Sequence, residues 1–454
     1  MTQTEDQQQQ KLVRGLGLPE ATALNMIDMV GIGPFLVAAT VIPIMGGPQS
    51  LLAWVAGALL AFIDGFIWAE LGAAMPLAGG SYIFLREAYG RKKWGRMMSF
   101  LYIWQTTIQA PLVIASGAIG FANYLRYVIP SLTPIEQKGV SGLLVITLTL
   151  LLYRKVSTIG KISLVLWGLV IGTIGWLIVA GAGHFNAALA FDYPPGAFDF
   201  SAFFWLGLGQ ATVQTIYSYL GYYNVCHLGG EIQNPGKNIP RSIFISIAGI
   251  AVLYLAMQLS ILGVVPWREG QHSEFIVSLF FEKIYGHRAA IVATCLILGV
   301  AFSSLFAAML GYSRVPFAAA ADGAFFPIFA RVHPTKKFPH VSLLILGATA
   351  FVFSLLFKLK DVITAIIAVR ILVQFIGQAV GVMVLRRREG SAHLPFRMWL
   401  YPLPAILAIL IWGAIFLSTG WVYMVGGVGI IILGIFVFLA REGGPGAFLK
   451  RSSD

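Results

Sequence analysis

Charge is what this sequence has least of. Asp, Glu, Lys and Arg make up 11% of its 454 residues, against about 25% in an ordinary soluble protein. A water-facing globule cannot cover itself with so few charges, so a soluble enzyme and a disordered chain are both excluded. Cysteine is nearly missing: Cys226 and Cys295, each in apolar surroundings, exclude a disulfide framework and a thiolate metal cluster. No HExxH, GxSxG or phosphate-cradling glycine motif occurs. What abounds is apolar: 58% of the chain is hydrophobic and the mean hydropathy is +0.81. The apolar runs are about 20 residues long, the length of a helix across a bilayer. The shorter alternating segments of an outer-membrane barrel are not the pattern here. The composition specifies an all-α polytopic membrane protein.

Twelve spans are predicted, at 19–45, 50–76, 94–124, 140–153, 162–182, 201–230, 239–265, 289–320, 341–357, 361–385, 399–419 and 421–440. Span 4 is short at these limits and extends upstream if it is to cross. The start of the chain, with glutamines at 7–10, is polar and acidic, unlike a cleavable signal peptide. The net charge of +12 is not a nucleic-acid signal, because the cations sort by loop. One set of alternate loops holds Lys11 and Arg14, then Arg86, Arg91, Lys92, Lys93 and Arg96, then Arg154, Lys155 and Lys161. It continues with Lys237 and Arg241, with Arg314, Arg331, Lys336 and Lys337, with Arg386, Arg387, Arg388 and Arg397, and with Arg441, Lys450 and Arg451. The other set holds only Arg126, Lys138, Arg268, Lys283, Arg288, Lys358 and Lys360. This bias predicts a multi-pass protein of the plasma or inner membrane with both termini cytoplasmic and no nucleic-acid partner.

Two spans carry helix-breaking chemistry at mid-depth. Span 1 contains Gly31, Ile32, Gly33 and Pro34, where proline lacks an N–H and glycine leaves helical geometry cheaply. Span 6 carries Tyr217, Ser218, Tyr219, Leu220, Gly221, Tyr222, Tyr223 and Asn224, then Gly229, Gly230 and Glu231. Interrupted spans at matching positions of two halves point to an inverted-repeat transporter with substrate bound at the breaks. Freed N–H groups suit a carboxylate, and freed carbonyls suit an ammonium or a sodium ion. An amino-acid head group needs both.

At these residues the chain resembles the amino acid–polyamine–organocation permease superfamily. The resemblance rests on the span 1 element and on Ala69-Glu70-Leu71-Gly72 with Pro76, Ala78-Gly79-Gly80-Ser81-Tyr82 and Leu85-Arg86-Glu87-Ala88-Tyr89-Gly90. It rests also on residues 230–241 (Gly-Glu-Ile-Gln-Asn-Pro-Gly-Lys-Asn-Ile-Pro-Arg), on Ser313-Arg314 with Ala321-Asp322-Gly323, on Phe326-Pro327 and on Val332-His333-Pro334. Gly-x-Gly-Pro-Phe in span 1, and Tyr153-Arg154 through Gly160, are similar to the L-type and plant polyamine-type branch. The resemblance implies the leucine-transporter-type fold: residues 19–185 and 186–390 as two five-helix inverted repeats, spans 11 and 12 over 391–441, and cytoplasmic tails at 1–18 and 442–454. It implies a secondary active transporter, not an enzyme, that moves amino acids by alternating access without a cofactor. The alternative within the class is a polyamine or organic-cation permease.

The implied substrate site comprises Met29, Val30, Gly31, Ile32, Gly33, Tyr217, Leu220, Gly221, Tyr222 and Asn224, with Tyr217 as an aromatic gate. Ile32 replaces a family serine, and Val170 stands where many sodium-independent members carry lysine. Coupling to a proton or a sodium ion therefore stays open, with Asp28, Ser304 and Arg370 as candidates and a possible sodium site near Val30 and Ser304. Ionisable groups at membrane depth are expensive and functional by default. Arg370, followed by Gln374 and Gln378 on one helix face, reads either as the partner of an acid on span 1 or 2 or as a substrate or coupling group. Asp64 and Glu70 pose the same question, and the Arg386–Arg388 run reads as a solvated anchor at the membrane edge. The expected partners are a small amino acid, a co-transported ion and the lipid bilayer.

Overall fold

The computed structural model describes residues 14–442 except 78, 93, 155, 337, 392 and 393. The tails at 1–13 and 443–454, with Ala78, Lys93, Lys155 and Lys337, lie outside the described residues. The regular structure of the described residues is helical, apart from one isolated bridge that pairs Leu16 with Ile232. Eight helices are long and apolar enough to cross a membrane: Pro48–Ala74, Trp94–Val128, Pro134–Leu152, Val165–Gly183, Pro235–Val264, His287–Ala321, Asp361–Glu389 and Trp421–Arg441. A further span is the pair Leu18–Met29 and Gly33–Met45, bent by 49° at its break. The shorter apolar helices His340–Leu356 and Leu403–Ser418, and the interrupted Ala202–Tyr219, fall on predicted spans 9, 11 and 6. The span numbers of the sequence therefore serve for the structure, and the chain is an all-helical, multi-pass membrane protein.

Local sequence explains where elements begin and end. Span 4 starts at Pro134 because Thr133 and Glu136 form a reciprocal capping box, each side chain taking the other residue's backbone N–H. Two amphipathic helices fall outside the predicted spans, Ser81–Ala88 and Ile276–Tyr285. Ile276, Val277, Phe280 and Phe281 bury one stripe of the latter, the i, i+1, i+4, i+5 pattern of a helix lying on a core. Span 10 is continuous but changes pitch: Leu359–Arg370 is α-helical, Ile371–Ile376 is a π-helical turn, and Gly377–Glu389 is α-helical again. Such turns are rare and cluster at functional sites.

Span 3 (Trp94–Val128) packs against spans 8, 9 and 10, while span 2 lies between spans 6 and 7. The first half of span 1 rests on span 7 and its second half on the first half of span 6. Small residues permit these approaches. A Cβ on Gly57 would lie 2.8 Å from Thr215 Oγ1, and one on Gly72 would lie 2.8 Å from Cys226 Sγ. The packing leaves the two broken spans side by side in the interior.

Candidate functional site

The break in span 1 follows from its hydrogen-bond inventory. Val30 N–H still donates to Met26 O at 3.0 Å, but Gly31 N–H folds back onto Met29 O at 3.3 Å and Pro34 has none to give. The second half resumes with Leu36 N–H donating to Ile32 O at 3.2 Å, so Ile32, Gly33 and Phe35 open it without intrahelical acceptors. Span 6 ends its first half at Tyr219; Leu220 is extended, and Gly221 takes φ +123°, a region open only to glycine. The chain restarts at Asn224, and Val225 N–H donates to Asn25 Oδ1 of span 1 at 2.8 Å.

The two breaks touch. A Cβ on Gly221 would lie 2.8 Å from both Asp28 C and Met29 N, so only glycine permits the approach. A Cβ on Gly33 would lie 3.1 Å from Tyr217 Cε1, and one on Gly31 would lie 2.6 Å from Ser304 Oγ. From span 7, the Tyr254 hydroxyl reaches Met29 O at 2.8 Å and Ser218 O at 3.0 Å, one carbonyl on each broken helix.

Between the breaks and spans 3, 8 and 10 lies a cavity of about 60 Å³. One part of its wall is polar, with Asp28, Arg370, Tyr223, Tyr312, Ser218 and Ser304; another is apolar, with Val113, Gly117, Ala301, Leu305 and Ala308. Met29, Gly31, Ile32, Gly33, Tyr217, Leu220 and Gly221 complete it. The Tyr217 hydroxyl shares a hydrogen bond of 2.8 Å with Ser116 Oγ of span 3. A second, wider cavity of about 510 Å³ lies beyond the second half of span 1, lined among others by Thr40, Asn123, Arg126, Gln214, Glu274 and Phe275.

Most of the residues expected at the site line the cavity, including Asp28, Ser304 and Arg370, but three do not. Val30 is fully buried in the apolar core. Tyr222 points away and donates its hydroxyl to Asp64 Oδ2. Asn224 lies past the break, its N–H donating to Gly221 O at 2.9 Å. The positive φ of Gly221 turns the following residues, so Tyr223 faces the cavity where Tyr222 was expected.

Arg370 finds no acid on span 1 or 2. Its Nε donates to Gln374 Oε1 at 2.8 Å and its Nη2 to the Tyr223 hydroxyl, and the guanidinium lies over the Tyr223 ring at 5.3 Å. The two acids of span 2 have other duties. Asp64 accepts from Trp68 Nε1 at 2.8 Å, Trp412 Nε1 at 3.2 Å and Tyr222, which pins spans 2, 6 and 11 together. Glu70 accepts Arg386 Nε at 2.6 Å, Arg386 Nη2 at 2.5 Å and the backbone N–H of Met398 at 2.6 Å. Arg386 is thus not a solvated anchor: its side chain is 11% exposed and that of Glu70 0%. Such a bidentate fork gives direction as well as charge.

Tyr223 was one of the aromatics of the span 6 break that the sequence offered as lining, and it does line the cavity, whereas Tyr312, Ser218, Val113 and Gly117 were not singled out as lining residues. A signal existed for Tyr312, because Ala301, Ser304, Leu305, Ala308 and Tyr312 recur at helical spacing on one face of span 8. Val113 and Gly117 are likewise four residues apart on span 3.

Comparison with known proteins agrees with this architecture. The model of a family described as "Amino acid permease" matches residues 16–441. The branched-chain amino acid permease BcaP of Bacillus subtilis is 23% identical over 448 residues, covering 95% of this chain and 93% of that protein. The methylthioribose transporter of the same organism is 23% identical over 414 residues, 87% and 86% of the two chains. The Asc-type amino acid transporter 1 of Mus musculus is 27% identical over 445 residues, 93% and 79% of the two chains.

Proposed function

The chain belongs to the amino acid permease family, and we propose that it is a secondary active transporter that moves amino acids by alternating access, with substrate held between the breaks of spans 1 and 6. The observation that carries this reading is the meeting of those breaks at Gly221 and Met29, beside a cavity with a carboxylate and a guanidinium in its wall. Non-helical backbone at membrane depth is tolerated where it lines such a cavity.

In this reading the free N–H groups at Ile32 and Gly33 face a substrate carboxylate, and carbonyls freed at the span 6 break face its ammonium. Tyr217 covers the substrate from the side of the wider cavity, while the Glu70–Arg386 clamp and the Arg370–Tyr223 contact close the other side. A cavity of about 60 Å³ holds a few waters at most, so substrate entry parts the broken helices, the movement that alternating access requires. Asp28 serves a proton, or Ser304 with the backbone near Val30 serves a sodium ion. The lysine- and arginine-rich loops lie in the cytoplasm with both termini, in the plasma or inner membrane. The two sets of five spans form the inverted repeat, and spans 11 and 12 flank it. A polyamine meets a cation, Arg370, in the wall of the cavity, and the amino-acid reading is the stronger for it.

The test is uptake into proteoliposomes of each radiolabelled amino acid, putrescine and spermidine, with sodium and proton gradients imposed separately. Saturable, gradient-driven accumulation of an amino acid supports the reading. Accumulation of putrescine but of no amino acid overturns it, and binding without accumulation makes the protein a sensor.

A further inference from the structure

Two ionisable side chains of opposite sign, Asp28 and Arg370, face the cavity, and neither stands in a direct ion pair among the described residues. The Asp28 carboxylate makes no hydrogen bond or ion pair among the described residues. Arg370 is 2% exposed, and no Asp or Glu oxygen among the described residues is within ion-pair distance of it. Of the five N–H donors of a guanidinium, two are engaged, by Gln374 and Tyr223. Nη1 has no hydrogen-bond partner among the described residues, yet it is not among the sealed, partnerless atoms of the interior, which leaves it open to the cavity that Arg370 lines. A buried ionic group without a hydrogen-bonded partner is costly, so two of opposite sign that face one cavity without a direct pair suit a ligand carrying both complements.

The backbone supplies few donors of its own. Gly31 N–H is taken by Met29 O and Pro34 has none. Ser218, Ser304, Tyr217, Tyr223 and Tyr312 add hydroxyls but no charge, and the apolar part of the wall, with Val113, Ala301, Leu305 and Ala308, offers no polar side chain.

We propose that Asp28 and Arg370 form a side-chain clamp on the two ends of a zwitterionic head group, and that the substrate is a small amino acid with a short apolar side chain. The ammonium lies on Asp28 and the carboxylate on Arg370, where a guanidinium adds a charge-assisted bond to those of the span 1 backbone. The zwitterion adds no net charge to the site. A third charge, on an acidic or basic side chain, faces methyl groups and is rejected. This rests on the reading of the cavity as the substrate site.

The experiment is competition against alanine uptake in proteoliposomes, using propionate, which has only the carboxylate, ethylamine, which has only the ammonium, aspartate and lysine. Arg370→Gln raises the alanine KM by about tenfold or more, abolishes inhibition by propionate and leaves that by ethylamine. Asp28→Asn does the converse, and Arg370→Lys recovers part of the affinity. A merely structural role moves both inhibitors together. The clamp is overturned if propionate inhibits Arg370→Gln as it does the wild type, or if both variants lose both inhibitors alike. The proposed substrate class is overturned if aspartate or lysine is carried with higher kcat/KM than alanine. If Arg370→Gln does not insert stably, the same comparison is made with Arg370→Lys, whose unchanged KM and propionate inhibition overturn the clamp. Accumulation of no amino acid at all refutes the transport reading itself, an outcome distinct from these.

Discussion

Replacing Gly221 with alanine is the sharpest test of whether the two breaks work as one unit. The residue adopts φ +123°, and holding a side-chain-bearing residue there costs about 1–3 kcal/mol. The added Cβ would stand 2.8 Å from Asp28 C and Met29 N, which are backbone atoms and cannot rotate aside. Ordinary contact begins at 3.4 Å, so spans 1 and 6 must part by about 0.6 Å or more, at a further cost of about 1–3 kcal/mol. The total is about 2–6 kcal/mol, and since 1.4 kcal/mol is about a factor of ten in affinity, KM rises by tenfold or more if the separation falls on the substrate. The assay pairs uptake kinetics with thermal unfolding in detergent. The control is Gly429→Ala in span 12, where an added Cβ meets nothing within 4 Å and both readouts stay at wild type. A Gly221→Ala protein with unchanged KM and Tm refutes the claim that contact between the breaks shapes the site.

Tyr254→Phe takes the hydroxyl from Met29 O, which keeps the Gly31 N–H, and from Ser218 O, and we expect a loss of about 1–3 kcal/mol in stability, read as a lower Tm; an unchanged Tm refutes a stabilising role for the hydroxyl. Glu70→Gln strands the Arg386 guanidinium and lowers stability by about 3–5 kcal/mol, while the double change Glu70→Met with Arg386→Met recovers most of it. A double variant no more stable than the single one removes the pairing argument. Asp64→Asn turns an acceptor of three donors into a group with two hydrogens of its own, so one or more of Trp68, Trp412 and Tyr222 loses its partner. The expected cost is about 1–3 kcal/mol, accompanied by a change in tryptophan fluorescence, and a silent spectrum counts against it.

The helical architecture and the position of both breaks were legible because each has a local cause. Apolar runs of bilayer length declare spans, and Gly31 to Pro34 and Gly221 declare the points where helical bonding fails. The identity of the facing side chains past a break was not legible. Helical period assigns faces only while the helix lasts, and the φ of Gly221 resets the register, so that Tyr223 took the place expected for Tyr222. Pairings across the chain were hidden for another reason: Glu70 and Arg386 are 316 residues apart, and nothing near either names the other. The arginine run looked like a membrane-edge anchor because three adjacent cations share a sequence pattern but not an environment. The capping box that starts span 4 was readable at Thr133 and Glu136, yet hydropathy alone gave it no weight.

The phenol of Tyr254 owns a single hydrogen and stands beside two carbonyls that both want it. At each instant the hydrogen can serve one broken helix or the other, so a carbonyl that draws away from the phenol leaves the hydrogen to its rival. The two are thereby tied in opposition, like the pans of a balance, by a group without charge. Such a latch carries no charge, so neither salt nor membrane voltage acts on it directly.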